Sequence, residues 1–158
     1  RPPPRAAARV VLRMRDLPRQ LSIDQLAELF EGRTRFVELL AERDDPLEAA
    51  PEVIAELDEA GKLEALDAHP AIGARGLSAR SAREQGDEAD PAVATELANL
   101  NRVYEERFGF RFVVFVNRRP RAEILEVLRE RLGRPREEEL ETALCELVAI
   151  ARDRWERG

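Results

Sequence analysis

An all-α fold is what the sequence predicts, an irregular multi-helix bundle with one extended segment near residues 110–116. Composition supports it: 44% of the 158 residues are hydrophobic but only 5% are aromatic, so Leu, Ala, Val and Ile must build the core, a helix-favouring set. Pattern supports it too, since apolar residues recur at spacings of three and four in runs bounded by capping residues, prolines and glycines. Only Phe110 to Val116 has strand propensity, and it has no obvious partner strand.

Each element follows from local signals. Residues 1–15, rich in Pro and Arg, read as a flexible lead-in, and residues 16–158 as a single helical domain, since a chain of this length holds one good core more easily than two. Ser22-Ile-Asp-Gln25 is a capping box that opens a first helix carrying Leu26, Leu29 and Phe30, with Gly32 as its expected stop. Phe36, Val37, Leu39 and Leu40 make a second helix before Asp45-Pro46. Val53, Ile54 and Leu57 make a third, expected to end near Gly61, and Leu63 and Leu66 carry a short fourth towards His69.

After the loop GARGLSAR, Ser81-Ala-Arg-Glu84-Gln85 reads as another capping box. Asp90-Pro91 then supplies an N-cap and a proline at the first helical position, and Val93, Leu97, Leu100 and Tyr104 stripe a long helix reaching Phe108-Gly109. A helix from Pro120 to Leu132, closed by Gly133, precedes a last one from about Pro135 to Trp155. No internal repeat is visible.

Several function classes lose support at this level. The net charge is −6, and 25 of the 26 basic residues are Arg interleaved with Asp and Glu, which is the pattern of a solvated helix surface and not of a nucleic-acid face. A single cysteine, Cys145, leaves no intrachain disulfide and no cysteine-based metal cluster, and it suits a reducing cytoplasm. No apolar run approaches the ~20 residues of a membrane span, the opening lacks a signal-peptide core, and the ending WERG is no peroxisomal address. Metal, phosphate-loop, dinucleotide and serine-hydrolase motifs are missing from the sequence.

The candidate chemistry begins at LDAHPAIG, which holds the only histidine. Histidine can both take and give a proton near neutrality. The proline behind His69 pushes it out of helical geometry, so it lies at or beyond a helix end, where it serves either as a loop residue bonded to a carbonyl or as a presented catalytic group. SAREQ is explained by capping alone, except for Gln85; read functionally, a helix start offers N–H groups to anionic oxygens, and Glu84 could couple to His69. FGFRFVVFV is either plain core or an unpaired segment whose backbone groups meet an amide-rich ligand. Near the C-terminus, Arg152 and Arg154 compete for notice, and nothing in the sequence selects between them.

Taken in order, LDAHPAIG, SARSAREQ, LNRVYEERFGFRFVVFV and an acidic helix ending in IARDRW resemble the 2-oxo-4-hydroxy-4-carboxy-5-ureidoimidazoline (OHCU) decarboxylases of purine catabolism, over roughly Leu17 to Trp155. The specific parts are His-Pro, Ser-x-x-Glu-Gln, and Asn101-x-x-Tyr104-x-x-Arg107-Phe-Gly-Phe110. The resemblance implies an all-α enzyme that needs no cofactor and no metal and converts OHCU to (S)-allantoin and carbon dioxide in urate degradation. It implies His69 and Glu84 as the catalytic pair. It further implies that Pro70, Ser81, Gln85, Phe112, Val113, Val114, Phe115, Val116 and Arg154 bind substrate. Its partner would be the small-molecule substrate, with no nucleic acid or membrane, and a homodimer is compatible with it. This chain departs from the family pattern in Trp155, where an aliphatic residue is expected, in a short His69 to Ser81 interval, and in the bulk of Phe115 and Val116, which bears on pocket size. The rival from another class is a non-catalytic helical protein-interaction domain with FGFRFVVFV as its docking surface.

Overall fold

Capping decides where most of the helices begin. The computed structural model describes residues 21–72 and 90–158, so the expected lead-in over residues 1–15 and the Ser81, Glu84 and Gln85 capping box lie outside the described residues. Seven helices occur among those described: α1 (Ile23–Phe30), α2 (Arg35–Ala41), α3 (Pro46–Glu56), α4 (Glu59–Asp67), α5 (Pro91–Phe108), α6 (Arg121–Leu132) and α7 (Arg136–Arg157). Ser22 and Gln25 form the expected reciprocal capping box of α1, and Thr34, Asp45, Asp58 and Asp90 each accept an otherwise unpaired N–H at the next helix starts. No described helix is long and apolar enough to cross a membrane.

Two glycines act differently from expectation. Glu31, not Gly32, takes the left-handed turn after α1, at φ 65. Gly32 is instead a point of close approach, because a Cβ there would stand 3.2 Å from the Ala68 Cβ at the end of α4. Nor does α3 run on to Gly61. It stops at Leu57, and Gly61 lies inside α4, where a Cβ would meet Leu57 Cδ2 at 3.0 Å and the capping Asp58 Oδ1 at 3.1 Å. Both glycines sit at close contacts, and the chain turns elsewhere.

Helix α2 packs against α1, α3 and α4, α7 packs along α1, α3 and α4, and α5 pairs with α6. Apolar side chains from all seven helices and from Phe110 to Val116 join one buried cluster. Aromatics are few but not peripheral. Phe30 and Phe36 meet edge to face at 5.1 Å, and Tyr104 packs on Phe108, Phe110 and Phe112 with ring centroids 4.6 to 5.8 Å away. The Phe110 to Val116 run has no strand partner among the described residues and crosses the core as an irregular segment.

Gly109 closes α5 at φ 80, with its N–H on the Glu105 carbonyl. Open space surrounds it, the nearest atom to a built Cβ being Arg136 Nη2 at 4.0 Å, so backbone conformation alone penalises a side chain there. Gly109→Ala is expected to destabilise the fold by about 1–2 kcal/mol and lower Tm by several degrees, measured by thermal unfolding.

Candidate active site

Helix α4 ends at Asp67, and the His69 N–H closes the turn on the Leu66 carbonyl at 3.1 Å. Pro70 then stops any continuation, so the imidazole is presented at a helix end. It is only 7% exposed, and its Nδ1 has no hydrogen-bond partner. Burial first, then the Arg154 charge, pulls its pKa down from 6.5 to about 4; the Glu31 carboxylate opposes this and Arg111 adds to it. His69 is therefore neutral across the physiological range and available as a proton acceptor.

The neighbours of His69 are set by the close contact of α1 with α4. Because Gly32 admits Ala68, the left-handed turn at Glu31 lies beside the His69 turn. Arg154 of α7 donates to the Leu29 carbonyl at 2.9 Å, one of the acceptors that the end of α1 leaves over, and pairs with Glu31 at 3.1 Å. Its side chain is 1% exposed. Glu31 was not among the residues singled out in the sequence, and the Glu-Gly pair at a helix end was its only trace.

The structure separates the two competing arginines. Pro51 sits inside α3 and has no N–H for the Leu47 carbonyl four residues earlier. Arg152 Nη2 takes that carbonyl at 3.1 Å and also faces Glu48 at 3.7 Å, so Arg152 repairs a helix. Arg154 is the one whose charge acts on the imidazole.

Arg111 ties the unpaired segment to the histidine turn. Its N–H donates to Asp67 Oδ1 at 3.1 Å, and its Nη1 donates to the carbonyls of Asp67 at 3.2 Å and His69 at 2.7 Å. A charged residue interrupting FGFRFVVFV was the signal for this role, and it went unused. Asn101 of α5 supports the same turn from the other side, donating to the Ile72 carbonyl at 3.3 Å with its Oδ1 unpartnered. The structure thus brings together His69, Pro70, Arg154 and the start of the Phe112 to Val116 segment. Trp155, beside Arg154, is exposed and outside this group.

A network of polar groups lies beneath that segment. Glu139 of α7 is fully buried and accepts from the Tyr104 hydroxyl and, at 2.7 Å, from Arg131 Nε. Arg131 of α6 also donates to the Val113 carbonyl at 2.8 Å and stacks over the Phe112 ring at 4.6 Å. Burial, together with acceptance by Glu139, holds the Tyr104 phenol far above its ordinary range, so it stays a donor. Only Tyr104 of these three belonged to a motif visible in the sequence.

The depressed His69 pKa has a sign that can be measured. An unfolded imidazole takes its proton near 6.5 and the folded one only near 4, so between them the unfolded state binds more protons and stability falls as pH falls. Above 6.5 this contribution is fully present. Relative to a His69→Gln variant, the wild type should lose about 2–3 kcal/mol of unfolding free energy between pH 7 and pH 4.5, read from urea titrations at both values.

Known proteins resemble this chain over most of its length. The OHCU decarboxylase family profile matches residues 15–156. The chain is 31% identical over 114 residues to a 2-oxo-4-hydroxy-4-carboxy-5-ureidoimidazoline decarboxylase from Halalkalicoccus jeotgali, covering 69% of this chain and 65% of that protein. It is 37% identical over 98 residues to the uric acid degradation bifunctional protein TTL of Arabidopsis thaliana, covering 56% of this chain but 30% of that protein. The matched stretches therefore span less than two thirds of either relative. A crystal structure of an OHCU decarboxylase in the presence of (S)-allantoin superposes with a TM-score of 0.70 at 25% identity, covering 82% of this chain and 94% of that one. The family profile covers nearly the whole chain, and the chain belongs to the OHCU decarboxylase family.

Proposed function

We propose that this chain decarboxylates OHCU to (S)-allantoin in urate degradation, without a cofactor and in the cytoplasm, where its exposed free Cys145 meets reducing conditions. The observation that carries the reading is a single buried, neutral imidazole under the charge of Arg154, on a turn fastened to an unpaired backbone segment. In OHCU the carboxylate stands on a carbon next to a ring C=N group. When the bond to CO2 breaks, its electron pair can move into that group, so the substrate is its own electron sink.

Among the described residues, the charges of Arg154, Glu31 and Arg111 act on His69. A bound carboxylate offsets the arginine charges and raises the affinity of the imidazole for a proton at the moment the proton has to move. His69 then accepts the substrate hydroxyl proton as CO2 leaves, the ring nitrogen that received the electron pair takes a proton from solvent, and an acid on one face returns a proton to carbon to give one enantiomer. Arg154 holds anionic oxygens. Glu84 as the partner of His69, and Ser81 and Gln85 as further contacts, follow from the family resemblance and lie outside the described residues.

The interaction-domain reading needs Phe110 to Val116 on the surface. Phe110 and Phe112 are each 2% exposed and Val113 is fully buried, so the segment is no docking face.

OHCU made freshly from urate with urate oxidase and 5-hydroxyisourate hydrolase should yield (S)-allantoin faster than the spontaneous reaction, followed by circular dichroism. His69→Ala should lose about 10²–10⁴-fold in rate with its helical signal retained, and unchanged activity would overturn the assignment. For the wild type, the acid limb of kcat/KM should lie near pH 4 and that of kcat at a higher pH, since the first reports the free enzyme and the second the substrate complex. An acid limb of kcat/KM near 6.5 would mean that burial and the Arg154 charge do not depress the imidazole in the free enzyme.

A further inference from the structure

The segment from Phe112 to Val116 has no partner strand, yet side chains hold its peptide planes one after another. Arg131 Nη1 donates to the Val113 carbonyl at 2.8 Å, and the Phe115 N–H donates to Glu146 Oε1 at 3.2 Å. Arg119 donates to the carbonyls of Phe115 at 2.6 Å and Val116 at 3.1 Å. All described peptide bonds are trans, and in a planar trans peptide the C=O of one residue and the N–H of the next point in opposite directions. Holding the Val113 carbonyl on Arg131 therefore aims the Val114 N–H away from that guanidinium. Holding the Phe115 N–H on Glu146 likewise aims the Val114 carbonyl away from α7.

Among the described residues neither backbone group of Val114 has a hydrogen-bond partner, although the residue is only 7% exposed. Buried backbone groups are rarely left unpaired. A ligand with an amide-like edge, such as a ureido group or a ring amide, would satisfy both. Of the side chains that clamp this segment, Arg131 is the most firmly built in. It is 3% exposed, its Nε is taken by Glu139, and Glu139 is held in turn by the Tyr104 hydroxyl.

We propose that Arg131, locked by Glu139 and Tyr104, is a positioning residue that sets the Val113–Val114 peptide plane and so the N–H with which the site reads a carbonyl oxygen of its substrate. This rests on the decarboxylase reading and adds to it the device that orients the backbone donor. Arg131→Lys keeps a charge beside Glu139 but lacks the fork that reaches Glu139 and Val113 together. It should raise KM for OHCU about tenfold or more with a smaller change in kcat, and weaken (S)-allantoin binding by a similar factor.

The triple variant Tyr104→Phe/Arg131→Met/Glu139→Leu replaces the polar network with apolar groups of similar size, and such replacements commonly keep the fold. It should retain the helical circular-dichroism signal and Tm while showing the same KM defect. A folded variant of either kind with wild-type KM overturns the proposal. Nuclear magnetic resonance of the labelled wild type tests it without any variant: addition of (S)-allantoin should move the Val114 amide resonance, and an unmoved resonance under saturating (S)-allantoin overturns the proposal. A wild type that leaves OHCU at its spontaneous rate refutes the decarboxylase reading instead, with the Val114 response read separately.

Discussion

A buried carboxylate ties three helices of this protein together at one point. Glu139 lies at the start of α7, is fully removed from water, and accepts from Tyr104 of α5 and Arg131 of α6. Through Arg131 the same node reaches the Val113 carbonyl, so three helices and the unpaired segment meet at one charged group. Apolar packing alone would tolerate small slides of α5 and α6 against α7. A desolvated carboxylate does not, because removing either partner strands a charge in low dielectric, at a cost of about 3–5 kcal/mol for a broken buried pair. Such a pair adds little net stability over an apolar core; what it contributes is geometry.

That geometry matters because the site is assembled from ends and gaps. His69 follows the end of α4, Glu31 follows the end of α1, Arg154 sits in the last turns of α7, and Phe112 to Val116 belongs to no regular element. Helix ends and unpaired segments leave backbone groups unsatisfied, and here arginines answer several of them. Arg154 takes the Leu29 carbonyl, Arg152 the Leu47 carbonyl that Pro51 abandons, Arg111 those of Asp67 and His69, and Arg119 those of Phe115 and Val116. The arginine-rich composition, which suggested only a solvated surface, also supplies much of the wiring that turns irregular backbone into a defined site. Guanidinium suits this task, since one side chain reaches several acceptors in a fixed plane.

The same wiring explains the electrostatics of the imidazole. A histidine at an exposed helix end would titrate near its ordinary value. This one is buried beside the arginine that completes α1, so its neutral state follows from how two helix ends were joined. Electrostatics and architecture share the residue Arg154, which holds α1 to α7 and sets its charge beside His69.

By itself the sequence determined the helical class, the caps at Ser22 and Asp90, the breaks at Gly109 and Gly133, and the isolation of His69 before its proline, because each depends on residues within four or five positions of one another. Its ordered motifs were also enough to point to the family. The tertiary structure alone decided that Arg154 and not Arg152 serves the histidine, that Gly32 and Gly61 permit contact where stops were expected, that Glu31 and Arg111 join the site, and that Glu139 organises what lies beneath it. The physical reason is common to all four. Each depends on which carbonyl, charge or methyl group a distant helix brings within reach, and one-dimensional periodicity carries the face of a helix but not the identity of what that face meets.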